Sequence, residues 1–213
     1  MLFRSDITEE VVTIERNTNR LVNLINQILD FRQTETKGFR LDFTSININE
    51  ILQEAYLTFE PVAKKKKLSY SIDLPSTNIY TMADAEALNK LFNNLLSNAV
   101  KYAEKKVNIK LVTLKKDEEK LIIEISNDGF IIPKEMKEKI FEPFFRLKET
   151  IKQKGTGIGL ALARSLIELH DGNLSLKDPV DGMNIFVVSL PWRSRLQKKR
   201  NKTVGLTPFM KTK

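Results

Sequence analysis

The sequence predicts an α+β fold: a two-layer α/β sandwich preceded by a long coiled-coil-like helix. Three observations carry this. Apolar side chains recur about every 3.5 positions over residues 7–28 and every second position from Phe39 onward. The later strand-like segments follow one another as hairpins, without the regular strand–helix–strand alternation of a parallel sheet, which implies an antiparallel or mixed sheet with helices on one face. The length of 213 residues, 41% of them hydrophobic, suits one domain of roughly 150 residues plus an appendage.

Taken in order, Ile7, Val11, Ile14, Leu21, Ile25 and Ile28 form a narrow helical seam interrupted only at Thr18. One helix cannot bury such a seam alone, so a hairpin or coiled-coil partner is expected, and with it a homodimer through this N-terminal helix. Val22, Leu24, Leu29 and Phe31 widen the stripe toward a bundle of about four helices. The polar run at 32–38 is expected to stop the helix. Phe39, Leu41 and Phe43 then alternate with Arg40, Asp42 and Thr44 as a strand. Asn47 or Asn49 can cap a helix carrying Ile51, Leu52, Ala55, Leu57, Phe59 and Val62, ending at the lysine run 64–67, where cations suit a helix C-terminus. Strands are expected near 68–74 and 79–83, and Asp84 caps a long helix to about Glu104. A hairpin of 107–114 and 120–126 surrounds the polar turn 115–119. A Gly/Pro-containing segment, a short helix near 134–141 and a polar loop to Lys154 follow. A Gly-rich turn, a helix at about 157–170 and strands near 173–177 and 184–190 complete the chain, with no internal repeat.

The formal net charge is +8, yet its whole excess falls in residues 193–213, which hold eight basic residues and no acid. The basic pI therefore reports a tail, expected to be disordered, and not a binding face, so direct nucleic-acid binding is not expected. The absence of Cys excludes disulfide scaffolds, thiolate zinc sites and thiol nucleophiles. No apolar run approaches the ~20 residues of a membrane helix, and the N-terminus is acidic where a signal peptide would be basic; a cytoplasmic location is expected.

Three segments carry chemistry. In the helix after Asp84, Leu88, Phe92, Leu95 and Ala99 share a ~60° sector that faces the core, and Asn94, Asn98, Lys101 and Lys105 share another sector about 120° away. Asn is a poor interior helix residue, yet Asn89, Asn93, Asn94 and Asn98 crowd ten positions. A ligand explains that cost: amide oxygens suit a Mg²⁺ already partly coordinated by phosphates, and a lysine one turn on can meet a phosphate oxygen. A solvated helix face is the alternative. Gly155-Thr156-Gly157-Ile158-Gly159-Leu160 runs into the next helix and can bring unpaired N–H groups close to phosphate, or be a tight turn only. Its spacing is neither that of the Rossmann fingerprint nor that of a P-loop. Asn127-Asp128-Gly129-Phe130-Ile131-Ile132-Pro133 ends a strand, either as an acceptor for a base amino group or as an ordinary Asn-Asp-Gly turn.

In this order and spacing the segments resemble the ATP-binding domain of sensor histidine kinases, a branch of the gyrase-like ATPase superfamily, over nearly all of residues 5–192. NLLSNAVKY looks like the family's asparagine box, SNDGFIIP its first glycine box, IFEPFFRL its phenylalanine box and GTGIGLALAR its second glycine box. IERNTNRLVNLINQILDFRQTE resembles the second helix of the dimerisation hairpin, in the style of hybrid two-component sensors of Bacteroides-type bacteria. The resemblance implies three parts: residues 1–37 as that hairpin helix, 38–192 as the catalytic domain and 193–213 as the tail.

By position, the resemblance implies Asn98 as Mg²⁺ ligand and Asn94 beside the triphosphate, facing the reaction centre. It places Lys101 on phosphate, Tyr102 on base or ribose, and Asn127 where the family has the Asp that accepts the adenine amino group. Residues 132–154 would be the lid over ATP, anchored by Phe141, Phe144 and Phe145. The turn of Gly155, Thr156, Gly157, Ile158, Gly159 and Leu160 would receive the phosphates, with Gly129 and Ile131 completing the first glycine box. The activity implied is transfer of the ATP γ-phosphoryl to a histidine on a hairpin helix absent from this sequence, then relay to the receiver domain of a response regulator; membrane attachment would come only through upstream segments.

Three departures stand out. Asn127 keeps the acceptor oxygen but lacks the carboxylate charge. Ile131 replaces a glycine, and a β-branched residue does not readily take φ > 0, so either the chain there follows another path or the site is partly degenerate. No histidine lies on the N-terminal helix, and the only one, His170, is expected to be structural. A degenerate nucleotide-sensing module and a gyrase-like ATPase are the alternative functions.

Overall fold

The computed structural model describes residues 2–36, 40–112, 120–150, 153 and 155–192. Helix α1 (Leu2–Glu35) precedes β1 (Thr44–Asn47), α2 (Ile48–Lys65), β2 (Ser69–Asp73), β3 (Tyr80–Ala83), α3 (Ala85–Tyr102), β4 (Lys106–Val112), β5 (Lys120–Asn127), α4 (Gly159–Leu169), β6 (Asn173–Leu176) and β7 (Asn184–Pro191). Five strands form one mixed sheet in the order β2-β4-β5-β7-β6, in which only the β2–β4 pair is parallel, and β1 pairs with β3 in a separate antiparallel ribbon. This is the expected α+β sandwich.

Alternation along the strands builds its core. Val107, Ile109 and Leu111 on β4, Leu121, Ile123 and Ile125 on β5, and Phe186, Val188 and Leu190 on β7 are buried. They belong to one cluster with Leu88, Leu91, Phe92 and Leu95 of α3 and Leu162 and Leu166 of α4. Helix α3 begins where Asp84 Oδ1 accepts the Ala87 N–H at 3.0 Å, and α2 begins at Asn47, whose Oδ1 accepts the Asn49 N–H at 3.2 Å.

Several boundaries differ from expectation. The strand expected from Phe39 pairs only from Thr44: Phe39 lies outside the described residues, and the backbone at 40–43 departs toward α3, where the Asp42 N–H donates to Asp84 Oδ2 at 2.8 Å. Leu41 and Phe43 still bury more than their neighbours, so the period of two reflects packing without a ladder. Helix α1 runs through the polar run to Glu35, where Thr34 Oγ1 donates to the Phe31 carbonyl at 2.7 Å and Arg32 lies 3.5 Å from Glu35. The short helix near 134–141 resolves into two 3₁₀ turns, Lys134–Met136 and Lys139–Phe141. Helix α4 starts at Gly159 because Gly157, at φ +78°, cannot be helical. The turn at 115–119 and the tail at 193–213 lie outside the described residues.

The domain covers only part of α1. Leu24, Ile28 and Phe31 pack against the core, and Asp30 receives the Lys90 ammonium at 3.0 Å. Burial alone would pull the Lys90 ammonium down, but its bonds to Asp30 and Glu86 outweigh that and hold it above its ordinary value. Val11, Ile14, Leu21 and Ile25 of the expected seam remain about half exposed, whereas the side chain of Ile7 lies outside the described part. No helix among the described residues is long and apolar enough to cross a membrane.

His170 closes α4 and is buried. Its Nε2 accepts the Asp84 N–H at 3.1 Å and its Nδ1 lies 2.8 Å from the Leu166 carbonyl, which assigns a neutral ring with the proton on Nδ1. The Phe43 ring meets it edge-on at 5.4 Å. His170→Ala is expected to cost about 2 kcal/mol, because the Asp84 N–H loses its buried acceptor and a cavity opens. Urea unfolding followed by fluorescence of Trp192, the single tryptophan, measures this; a loss below about 0.5 kcal/mol would contradict the structural role.

Candidate functional site

A cavity of about 1090 Å³ lies between α1, the exposed flank of α3, the loop after β5 and the Gly-rich turn before α4. Of the α3 sector read as unusual, Asn94, Asn98 and Lys101 line the cavity and are half-buried, as is Tyr102 beside them, whereas Lys105 is exposed and outside the wall. So do Asn127 at the end of β5 and Gly155, Thr156, Gly157, Gly159 and Leu160 of the turn. Residues about 60 positions apart in sequence therefore share one wall.

The contacts within it are close. Asn94 Nδ2 donates to the Lys90 carbonyl at 2.9 Å, which turns Oδ1 toward the Gly-rich turn, where a Cβ on Gly159 would come within 2.9 Å of it. Lys101 Nζ donates to the Tyr102 hydroxyl at 2.7 Å and lies 4.2 Å from the centre of the Tyr102 ring. A Cβ on Gly155 would approach Lys101 Nζ to 2.6 Å. The absent side chains thus leave the Lys101 ammonium and the backbone of the turn open to an anion, with the Asn94 amide oxygen beside the turn. Lys101 has no carboxylate partner among the described residues, so its charge is free for such a ligand.

Gly157 holds the turn to the segment before it. Its carbonyl accepts the Phe144 N–H at 3.0 Å, and Phe144 itself has φ +65°. Among the described residues no group of three or more His, Asp or Glu could hold a metal. A divalent cation here would need most of its oxygens from a bound anion, a requirement that the neutral amide of Asn98 fits.

Five expected residues stand outside the cavity wall. Gly129 is buried behind it, and a Cβ there would collide with the Tyr102 carbonyl oxygen. Ile131 avoids positive φ: the loop is stapled instead by Asn184, whose Oδ1 accepts the Ile132 N–H at 3.0 Å while Nδ2 donates to the Phe130 carbonyl at 3.0 Å. Ile158 is core. Phe141 is buried edge-on to Phe186 at 6.4 Å, with the Arg164 guanidinium 4.5 Å above it and Arg164 also paired to Glu138 at 2.8 Å. Phe145 lines the cavity, but Phe144, expected as an anchor, is 64% exposed; its backbone makes the attachment and its ring does not.

Sequence reasoning missed Asn184 and the polar side of α1. Asn184 pairs with Asn127 across β5 and β7 and lines the cavity, and its only signal was an amide opening a mostly apolar strand. On α1, Asn19, Asn23 and Gln27 recur every four residues, line the cavity, and meet the turn where Thr156 Oγ1 donates to Gln27 Oε1 at 3.0 Å. That stripe was visible, but nothing in the sequence said what it faced.

Residues 83–194 match the family of histidine kinase-, DNA gyrase B- and HSP90-like ATPases. Histidine kinase P4 of Formosa agariphila is 35% identical over 190 residues, covering 87% of this chain and 14% of that protein, so the chain spans a small part of that relative's length. The solved catalytic domain of histidine kinase ThkA is 29% identical with a TM-score of 0.64, covering 72% of this chain and 97% of that domain. A structure of ThkA in complex with its response regulator TrrA matches with 27% identity and a TM-score of 0.67 over 84% of this chain and 49% of that one. With its motifs ordered around one cavity and its sheet in the same architecture, the chain belongs to the histidine kinase-, DNA gyrase B- and HSP90-like ATPases, as an ATP-binding catalytic domain of the sensor histidine kinase kind.

Proposed function

We propose that the cavity holds Mg–ATP and that, in the protein to which this chain belongs, the γ-phosphoryl passes to a histidine on a hairpin helix outside this sequence and then to a response-regulator aspartate. The observation that carries the reading is the convergence of Asn94, Asn98 and Lys101 with the Gly-rich turn. Asn127, buried at the far end, offers an acceptor oxygen to the adenine amino group; as an amide it binds less strongly than a carboxylate would. Tyr102 supplies a ring for base or ribose. Lys101 neutralises phosphate charge, and the N–H groups opening α4 meet further phosphate oxygens.

Mg²⁺, when bound, would neutralise negative charge on the phosphate oxygens that otherwise repels an incoming nucleophile. Asn98 would hold the metal through its amide oxygen, and Asn94 would present Oδ1 beside the turn, toward the transferring group. These residues do little covalent chemistry: they position the nucleotide and stabilise charge, as phosphoryl transfer generally requires. The ThkA–TrrA complex supports a response-regulator receiver domain as partner. The exposed seam of α1 supports a homodimer in which residues 1–37 are the second hairpin helix and 38–192 the catalytic domain. The setting proposed is the cytoplasmic part of a sensor, anchored in a membrane only through other segments.

His170 is 1% exposed with both ring nitrogens engaged, so it is no phosphoacceptor. Incubation with γ-labelled ATP is therefore expected to leave this chain unlabelled and to label a hairpin peptide carrying the acceptor histidine when one is supplied. Acid-labile label on this chain alone would contradict the proposal.

A further inference from the structure

The C-terminal end of α3 is gripped from both sides by opposite charges that the proposed chemistry does not use. The last carbonyls of a helix lack intrahelical donors. Here Lys66, just beyond α2, donates through Nζ to the carbonyls of Val100 at 2.7 Å, Lys101 at 3.0 Å and Ala103 at 3.5 Å, placing a cation on the negative end of α3. The three N–H groups that follow all point to one carboxylate. Asp128 accepts from Glu104 N at 3.0 Å, Lys105 N at 3.0 Å and Lys106 N at 2.9 Å, while its own N–H donates to the Lys106 carbonyl at 3.2 Å.

Asp128 is the covalent neighbour of Asn127, and Gly129 on its other side lies so close to the Tyr102 carbonyl that no side chain fits between them. The peptide that carries the base acceptor is thus bound, through Asp128, to the helix end that carries Lys101 and Tyr102. Burial alone would push the Asp128 carboxyl up; the bonds from Lys105, Lys106 and Glu104 outweigh it and hold the group below the usual carboxylate range. Its carboxylate is committed to these N–H groups and does not line the cavity, whereas Lys66 borders it with Nζ committed to the α3 carbonyls.

We propose that Asp128 and Lys66 are positioning residues that fix the separation of the base-binding and phosphate-binding ends of the cavity. The inference rests on the nucleotide reading above. A ligand that must reach both ends gains from their being held at the right distance, whereas a fragment touching one end gains nothing from it. A turn aspartate with a merely stabilising role would affect ligands of either kind alike.

The test titrates Mg–ATP, adenosine and Mg–tripolyphosphate separately into the full chain, as the unsubstituted protein, D128N, K66M and K66R, with affinities read from amide chemical shifts. D128N removes one acceptor oxygen and presents an NH₂ to backbone donors. It is expected to weaken Mg–ATP roughly tenfold or more while each fragment changes by less than about twofold. K66M is expected to act in the same direction, and K66R, which keeps the cation, to restore most of the loss, so the K66 pair carries the test if D128N does not fold. Equal losses for ATP and the fragments, or no loss for ATP, would overturn the clamp alone. Failure of the unsubstituted chain to bind Mg–ATP would overturn the nucleotide reading and the clamp with it.

Discussion

Asn98→Ala weakens Mg–ATP binding on the order of 100-fold, about 2.7 kcal/mol, and leaves the fold as stable as before or slightly more so; this is the result the site geometry leads us to expect. Asn98 sits in the fourth turn of α3, half-buried, on the cavity wall. Its side chain has no hydrogen-bond partner among the described residues, so nothing in the domain depends on it. Asn in a helix interior is less favourable than Ala by roughly 0.5 kcal/mol, so truncation relieves the helix at the same time as it removes the amide. The two effects have opposite signs, which separates a ligand from a structural polar residue. Thermal unfolding without nucleotide should therefore show no fall in Tm, and calorimetry should show the loss only with Mg²⁺ present. A lowered Tm with unchanged Mg–ATP affinity would place Asn98 in the scaffold instead.

The second large effect is expected at Gly157. An Ala there would keep φ at +78°, a strain of roughly 1–2 kcal/mol, and would drive its Cβ to 2.7 Å from the Phe144 carbonyl carbon and 2.8 Å from its Cα. Both contacts are to backbone, so no rotamer change relieves them. Phe144 is already held at φ +65° with its N–H on the Gly157 carbonyl, and this clasp is what attaches the segment before the turn to the turn itself. Gly157→Ala should cost about 2–4 kcal/mol in urea unfolding and weaken nucleotide binding at least tenfold at a temperature where the variant is folded. Phe144→Gly is the control: its exposed ring contributes little packing and glycine takes positive φ freely, so stability should hold or rise. Equal losses in both variants would mean that the ring, and not the backbone clasp, matters.

Where one helix carried two kinds of information, sequence reading reached the structure. The apolar sector of α3 named its core face, and two of the four Asn in its costly run, Asn94 and Asn98, lie on the cavity side, while Asn89 and Asn93 do not. The same holds for α2, where Asn47 is the cap of the two candidates Asn47 and Asn49. Reading failed where long-range contacts decide the local path. Phe39 to Phe43 has strand periodicity, but Asp84 and His170 draw residues 42 and 43 away from any ladder. Ile131 did imply another path for the chain, but not what fixes it: Asn184, more than fifty residues later, holds it there with its amide. Phe144 was grouped with Phe141 and Phe145 by type, yet its backbone conformation, which no pattern of residue types encodes, sends the ring outward. The polar stripe of α1 has clear spacing, but only the packed structure shows that it closes the cavity.

The central claim is that this cavity binds Mg–ATP despite the amide at Asn127 and the isoleucine at position 131. Calorimetric titration of ATP into the chain, with Mg²⁺ and then with the metal chelated, tests it most directly. The geometry predicts saturable binding well below millimolar with Mg²⁺, weakened on chelation. Binding no tighter than millimolar and indifferent to Mg²⁺ would contradict the account.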